Sequence, residues 1–343
     1  MWYSKSMKNS ITLRDIAREL GISAVTVSKA LSDKEGVGED LKQRIRTRAE
    51  EMGYRKNLLA SDLRGQSGHN IGLLVRQGGQ NAQSLEHEIS RRLLEEGYYS
   101  VIEVIKPDQA GSLLLESSKV DGVLVIGAQK PAFINTILQS GEPCVLVDFF
   151  YDAEHLDSVI GDNLYGGYAL TKHLISLGHQ DVGFVGNPHL DDQTMDRYLG
   201  YCKAINEFGF CSDLQWVYQD TDDYGQDKEP QILEDGPSAY VCSHSKSAYK
   251  YIGALKKAGF EIPSDRSIAS FEDDVFSTLC VPPLTVFSLD YQEMALTAAQ
   301  AIIRKIGDPS YHFGRKTIGG RLVARESTTK LKKSLVKEIN RFG

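Results

Sequence analysis

The sequence predicts a small all-α helix-turn-helix head followed by an α/β body of two doubly wound subdomains. Three observations carry that reading. The first 65 residues hold three short amphipathic patterns joined by tight turns. From residue 69 onward, apolar strand-length runs alternate with amphipathic helices, the pattern of parallel sheets covered on both faces. Charge divides at the same place: residues 1–66 carry 13 Lys+Arg against 9 Asp+Glu, and the other 277 carry 26 against 37. A basic head on an acidic body is the asymmetry expected of a nucleic-acid-binding module joined to something else, although the overall charge of −7 by itself argues against DNA.

Composition narrows the class further. With 41% hydrophobic and 25% charged residues in a chain of 343, the protein buries real cores. The longest apolar runs, such as Val123–Ile126, fall far below the roughly 20 residues of a membrane span, and MWYSKSMKNS has no apolar leader core. Cys144, Cys202, Cys211, Cys242 and Cys280 are scattered and form no CxxC pair, so they read as reduced thiols of a cytoplasmic protein. The eight histidines form no HExxH or HxxxH pair; no metal and no cofactor are expected.

The head is legible helix by helix. Thr12-Leu13-Arg14-Asp15 has the form of a capping box ahead of Leu13, Ile16, Ala17 and Leu20 at helical spacing, and Gly21 supplies a left-handed stop. Ser23 caps a second helix, Ala24 to Leu31, with Val27 and Leu31 inward and Ile22 packing back as a staple. A third helix puts Leu41, Ile45, Ala49 and Met52 on its inner face and ends at Gly53. The outward face of the second helix carries Ala24, Val25, Ser28 and Lys29. One reading is a solvated face. The other is a recognition helix in a major groove, with Ala24 and Val25 on thymine methyls, Lys29 on guanine, and Thr26 and Ser28 on phosphates.

The stretch TLRDIARELGISAVTVSKAL, followed by the third helix and GYRKNLLASDLRG, closely resembles the DNA-binding headpiece of the lactose-repressor (LacI/GalR) family. That resemblance favours the recognition-helix reading and extends it to Thr12 and Ser23 as DNA-contacting positions. Two positions depart from the family pattern, Lys56 in place of its usual Pro and Gly38 in place of its usual Ser. Asn57 caps Leu58 to Arg64, seven residues, against the roughly 12–15 at which an isolated helix is marginal. The resemblance implies that this hinge helix forms on operator DNA beside its dimer mate, with Leu63 as the minor-groove wedge and Ala60 against the groove. Leu63 as a plain linker leucine is the alternative.

Candidate strands in the body are Ile71–Val75, Ser100–Val104, Val123–Ile126, Val145–Val147, Val182–Val185, Trp216–Tyr218, Ala239–Cys242 and Ile268–Phe271. Helical stretches between them include Leu85–Glu96, Tyr165–Leu177, Tyr198–Phe208, Lys246–Ala258 and Tyr291–Ile306. No GxGxxG follows a strand, no GxxxxGK[ST] occurs, and no nucleophile stands with a base, so an enzyme is not expected.

The resemblance continues through VDGVLVIG, DNLYGGYALTKHLISLGHQDVGFVG, RYLGY, VPPLTVFSLDYQEMA and RLVARESTT, and makes the body similar to a periplasmic-binding-protein fold. The organisation it implies is a DNA-binding head at 1–56, a hinge and linker at 57–68, and an effector-binding and dimerisation region at 69–343. Within that region, one subdomain takes about 69–161 plus 291–314 and the other about 162–288 plus 315–330. An effector cleft is expected beyond the strand C-termini.

For ligand contacts, the resemblance implies Arg197 of RYLGY, whose fork of donors suits a hydroxyl or an acid; a surface arginine opening a helix is the alternative. It also implies Tyr291 as an aromatic platform, Asp148 at a strand end, and His244 and Glu272 where the family carries Asn and Asp. Arg76 stands where the family's cleft-lining turn begins, either facing an anionic ligand or solvated. Leu331, Leu335 and Ile339 span under two heptads, so the tail is expected to pack on its own subdomain rather than make a tetramer.

Taken together, the chain is expected to be a cytoplasmic homodimeric transcription regulator, a repressor, on a pseudo-palindromic operator. A small-molecule effector, a sugar or related metabolite, is expected to control it, with a protein corepressor, or regulation without a ligand, as the alternative.

Overall fold

The structure, a computed structural model, describes residues 13–31, 37–52, 69–78, 82–117, 120–153, 156–210, 216–221, 228–230 and 232–331. The chain divides into two compact units, Met1–Gly68 and His69–Gly343.

In the first unit, α1 (Leu13–Leu20), α2 (Ala24–Leu31) and α3 (Glu39–Glu51) pack around Ile16, Ala17, Val27, Ala30, Ile45 and Ala49. The turn between α1 and α2 is short for a local reason. Gly21 takes φ +64°, and its amide and that of Ile22 close back on the carbonyls of Arg18 and Ala17 at 3.4 and 3.0 Å. Ser23 Oγ then accepts from the Thr26 amide at 3.0 Å and starts α2. Leu31, expected inward, is only partly covered; Ala30 fills the centre instead.

The second unit is built on two six-stranded sheets. The chain runs β1 (Asn70–Arg76), α4 (Ala82–Glu95), β2 (Tyr99–Ile105), α5 (Leu113–Ser117), β3 (Gly122–Ile126), α6 (Pro131–Ser140), β4 (Cys144–Val147) and β5 (Asp157–Gly161). It passes into the other half through α7 (Asn163–Ser176), β6 (Val182–Val185), α8 (Asp192–Glu207), β7 (Val217–Tyr218), β8 (Ala239–Cys242), α9 (Ser245–Lys257), β9 (Ser267–Phe271), α10 (Val275–Leu279) and β10 (Thr285–Leu289). It then returns as α11 (Tyr291–Gly307) and β11 (Arg315–Ile318) and crosses once more into β12 (Gly320–Val323). The first sheet has the order β11-β5-β4-β3-β1-β2, the second β12-β10-β9-β8-β6-β7; among the described strands only the β10–β12 pair is antiparallel. The central strands are buried on both faces, which is why they read as unbroken apolar runs.

The third crossing differs from the expected boundary. Residues 315–318, assigned from the sequence to the second subdomain, pair with β5 in the first sheet, Arg315 opposite Ser158 through Ile318 opposite Gly161. The crossing itself lies at Gly319, between β11 and β12. The cause is a buried anchor. Asp157 pairs with Lys305 of α11, and its Oδ1 accepts from the amides of Phe313 and Gly314 at 2.8 and 2.7 Å, which holds the segment after α11 against β5.

Helices α7 and α8 meet backbone to backbone. A Cβ on Gly167 would overlap the carbonyl oxygen of Arg197, and one on Gly200 would overlap that of Leu164. Neither overlap can be relieved by turning a side chain. Gly200→Ala is therefore expected to destabilise the body by about 1–3 kcal/mol, outweighing the ~1 kcal/mol that alanine gains over glycine in a helix. Gly253→Ala on α9, with open space around it, is expected to stabilise by up to ~1 kcal/mol. Urea unfolding midpoints of the two variants should move in opposite directions.

Candidate nucleic-acid interface and ligand cleft

The exposed side of α2 is narrower than the sequence suggests. Val25 is 66% exposed, and Ser28 and Lys29 are exposed beside it. Ala24 leans onto the core of the unit. Ser23 and Thr26 share a hydrogen bond at 2.8 Å between their hydroxyls and form the cap of the helix. Lys29 has no ion-pair partner among the described residues. Arg18 and Arg48, by contrast, are tied to Asp15 and Glu19. Thr12, Asn57, Ala60 and Leu63 lie outside the described residues.

In the second unit, a cleft of about 590 Å³ opens beyond the C-terminal ends of both sheets. Arg76 at the tip of β1, Asp148 after β4, His244 before α9 and Glu272 after β9 all line it. Arg197 and Tyr291 do not. Arg197 is 1% exposed and lies one layer behind the wall. Its Nε donates to Asn163 Oδ1 at 2.8 Å, its Nη1 donates to the Ser243 carbonyl and to Glu272 Oε1, and its guanidinium lies 4.3 Å from the Phe271 ring centre. Glu272 is long enough to meet it there. Tyr291 packs against the cores of both halves, and its hydroxyl is buried without a partner among the described residues.

Asp148 and Glu272 occupy matching places, each the residue after a central strand, and each takes a left-handed backbone, φ +64° and +76°. Among the described residues they are the non-glycine positions with positive φ. Such strain persists where surrounding structure over-determines it, and it clusters at functional sites. Gln193 of α8 supplies part of that determination: its side-chain amide donates to the Asp148 carbonyl and so ties one half to the other. Asp148 Oδ1 has no hydrogen-bond partner among the described residues. Burial pushes its carboxyl up to about 6, with Glu272 and Asp191 adding to the rise and Arg197 and the Gln193 side-chain amide opposing it.

Asp191 sits nearby and behaves oppositely. Burial would raise it, but His244, the Thr194 amide, which donates to it at 2.8 Å, and the Thr194 hydroxyl beside it hold it below the usual carboxylate range. Sequence reasoning missed Asp191, Gln193 and Thr194. An Asp-x-x-Thr cap just ahead of RYLGY was a signal for the helix start, but only the fold shows that this start faces the cleft.

Residues 12–57 match the family described as bacterial regulatory proteins, lacI family, and residues 171–328 match a periplasmic binding protein-like domain. The chain is 26% identical over 332 residues to the HTH-type transcriptional repressor PurR of Aliivibrio salmonicida, covering 93% of this chain and 99% of that one. It is 28% identical over 331 residues to the HTH-type transcriptional regulator RegA of Clostridium saccharobutylicum, covering 92% and 99%. A Lac repressor dimer bound to operator and the anti-inducer ONPF superposes with TM-score 0.77 at 18% identity, over 94% of this chain and 100% of that one. A complex of the transcriptional regulator CelR with cellobiose gives TM-score 0.65 at 19% identity, over 92% and 99%.

The raised carboxyl of Asp148 has a measurable consequence for stability. Its folded value, about 6, lies above the ordinary unfolded value of about 3.9, so between those limits the folded state holds the extra proton. Stability from this group therefore falls as pH rises from about 4 to about 6, and the penalty is complete above that. Asp148→Asn is expected to raise the unfolding temperature at pH 7.5 and to flatten this part of the pH profile. The gain is at most about 3 kcal/mol and is reduced by solvent reaching the half-buried side chain. Thermal unfolding between pH 4 and 8 measures it.

Proposed function

We propose, from the premise that this chain belongs to the lacI family of bacterial regulatory proteins and is a DNA-binding transcriptional regulator rather than an enzyme, that it is an effector-controlled homodimeric repressor. It acts in the cytoplasm on a pseudo-palindromic operator, and a small polyhydroxylated metabolite, sugar-like in size, binds in the cleft of each body. The observation that carries the effector reading is the cleft itself: its wall comes from both halves, and a side chain of one half already bonds to the backbone of the other across it. A ligand in that position contacts both halves at once. It therefore binds the closed and open arrangements with different affinity, the requirement for shifting the balance between them.

On the DNA side, Val25, Ser28 and Lys29 are the exposed part of the second helix of a helix-turn-helix and are presented to a major groove. Lys29 reads guanine, Val25 meets a thymine methyl, and Ser28 meets phosphate. Thr12, Ser23, Thr26 and Asn57 add positioning contacts. The hinge, with Ala60 and Leu63, is too short to persist as an isolated helix, so it folds only beside its mate on DNA. A difference of about 1–3 kcal/mol between the two cleft states gives roughly 5–150-fold control.

Two exposed apolar patches support the dimer. Ile102 and Val104 on the edge strand β2 are 48% and 55% exposed, and Val275, Leu279 and Val281 around α10 are 60%, 60% and 70% exposed. Such patches mark association surfaces more often than plain solvent-facing ones. No helix among the described residues is long and apolar enough to cross a membrane.

In-vitro selection with the full chain should recover a two-fold-related DNA site. On it, Lys29→Ala is expected to cost about 1–3 kcal/mol at one base position of each half-site, read by anisotropy titration. A uniform loss across sequences would make Lys29 a phosphate contact instead. For the cleft, a thermal-shift panel of sugars, sugar phosphates and nucleosides should show at least one specific stabilisation that grows with ligand concentration. Silence across the panel would move control to a protein partner.

A further inference from the structure

We propose that the wall of the cleft at Asp148 takes a ligand bearing a protonated amine, on a polyhydroxylated scaffold. The inference rests on the effector reading above and narrows it to a chemical class. It begins with what the wall does not present. Arg197, the donor fork expected to meet a ligand, is turned away and occupied by Asn163, the Ser243 carbonyl and Glu272. Glu272 is thereby occupied as well. Asp191 is engaged in capping α8, accepting from Thr194, with His244 close by. Asp148 is left with a shielded carboxylate oxygen that has no hydrogen-bond partner among the described residues.

A second, independent observation lies at the same place. Thr194 is 1% exposed and lines the cleft; its Oγ1 lies near the Asp191 carboxyl but meets no group in full hydrogen-bond geometry among the described residues. Gln193, its neighbour in the chain, bonds to the Asp148 carbonyl, so residues 148 and 194 stand at one crossing of the two halves. The carboxylate oxygen only accepts, and the hydroxyl, with its own O–H toward Asp191, keeps lone pairs that accept; an ammonium group brings three donors and no acceptor.

Charge separates an amine from a neutral hydroxyl here. Asp148, Asp191 and Glu272 converge on this wall, with Arg197 behind it as the buried counter-charge. A hydroxyl satisfies a lone pair and leaves that excess of negative charge buried; an ammonium removes both deficits. The cations that also line the cleft have other calls on them. Lys228 donates to Gln219 at 2.9 Å, Asp220 and Glu229 stand among them, and Lys246 and Lys250 each have a partner. Arg76, exposed at the tip of β1 and in no ion pair among the described residues, lines the same cleft and suits an acidic or hydroxyl group of the same ligand.

The test compares matched rings on the full chain by isothermal titration at pH 7.5: D-glucosamine with D-glucose, D-galactosamine with D-galactose and D-mannosamine with D-mannose. N-acetyl-D-glucosamine serves as the version that has lost its charge. At least one amino sugar is expected to bind ten times or more tighter than its hydroxyl counterpart. Asp148→Asn should remove that preference, Asp148→Glu should retain part of it, and unfolding curves verify that both variants are folded. Neutral sugars binding as tightly as the amines, or an amine preference untouched by Asp148→Asn, overturns the inference and leaves the effector reading standing. Silence of every sugar in both arms overturns the sugar-like effector reading together with it.

Discussion

The close approach of α7 and α8 is the contact on which the second half of the body depends. At Gly167 and Gly200 the two helices touch through backbone, and only that separation lets Arg197 reach Asn163 at the start of α7 while still meeting Glu272 after β9. A buried arginine is costly unless its donors and charge are matched, and here Asn163, a backbone carbonyl, a carboxylate and an aromatic face do so together. Losing one member would leave the others buried and unpaired. The pair is therefore a device for holding α7, α8, β8 and β9 in one arrangement more than a source of net stability.

From that anchor the cleft follows. Arg197 holds Glu272 at the end of β9, and Asp148 stands at the corresponding end of β4 in the other half, both on left-handed backbone. Gln193 spans the gap between the halves. The wall is thus over-determined on the side of the second half and tied to the first, among the described residues, through the Gln193 side chain. Motion is cheapest where few contacts cross, so this seam, with the chain crossings near Asp162, Asp290 and Gly319, is where opening is to be expected.

Much of the fold was legible from residue order because its signals are local. Ser23, Gly21 and the inward Ile16, Val27 and Ile45 define the three-helix head without reference to anything distant, and the apolar runs of β1, β3 and β8 announce buried parallel strands. The missing pieces are those whose signal is not local. β11 and β12 are short edge strands with mostly exposed side chains, so no apolar periodicity marks them. Their sheet membership comes from pairing with β5 and β10, and from the anchor of Asp157 to the segment after α11. The cleft was legible as a place and less so as a surface: Asp148, His244, Glu272 and Arg76 line it, whereas Arg197 and Tyr291 stand behind it.

Capping residues, spacing and charge balance are properties of neighbours along the chain, so the two-part organisation and the helix-turn-helix are readable from residue order alone. Which of the chemistry-bearing side chains face the cleft depends instead on how distant elements pack. One added methylene, Glu272 where the family carries Asp, lets a carboxylate reach Arg197 and take it out of circulation. Whether an arginine meets a ligand or a neighbour depends on a distance between elements 75 residues apart, 3.3 Å here, and no local pattern encodes that distance.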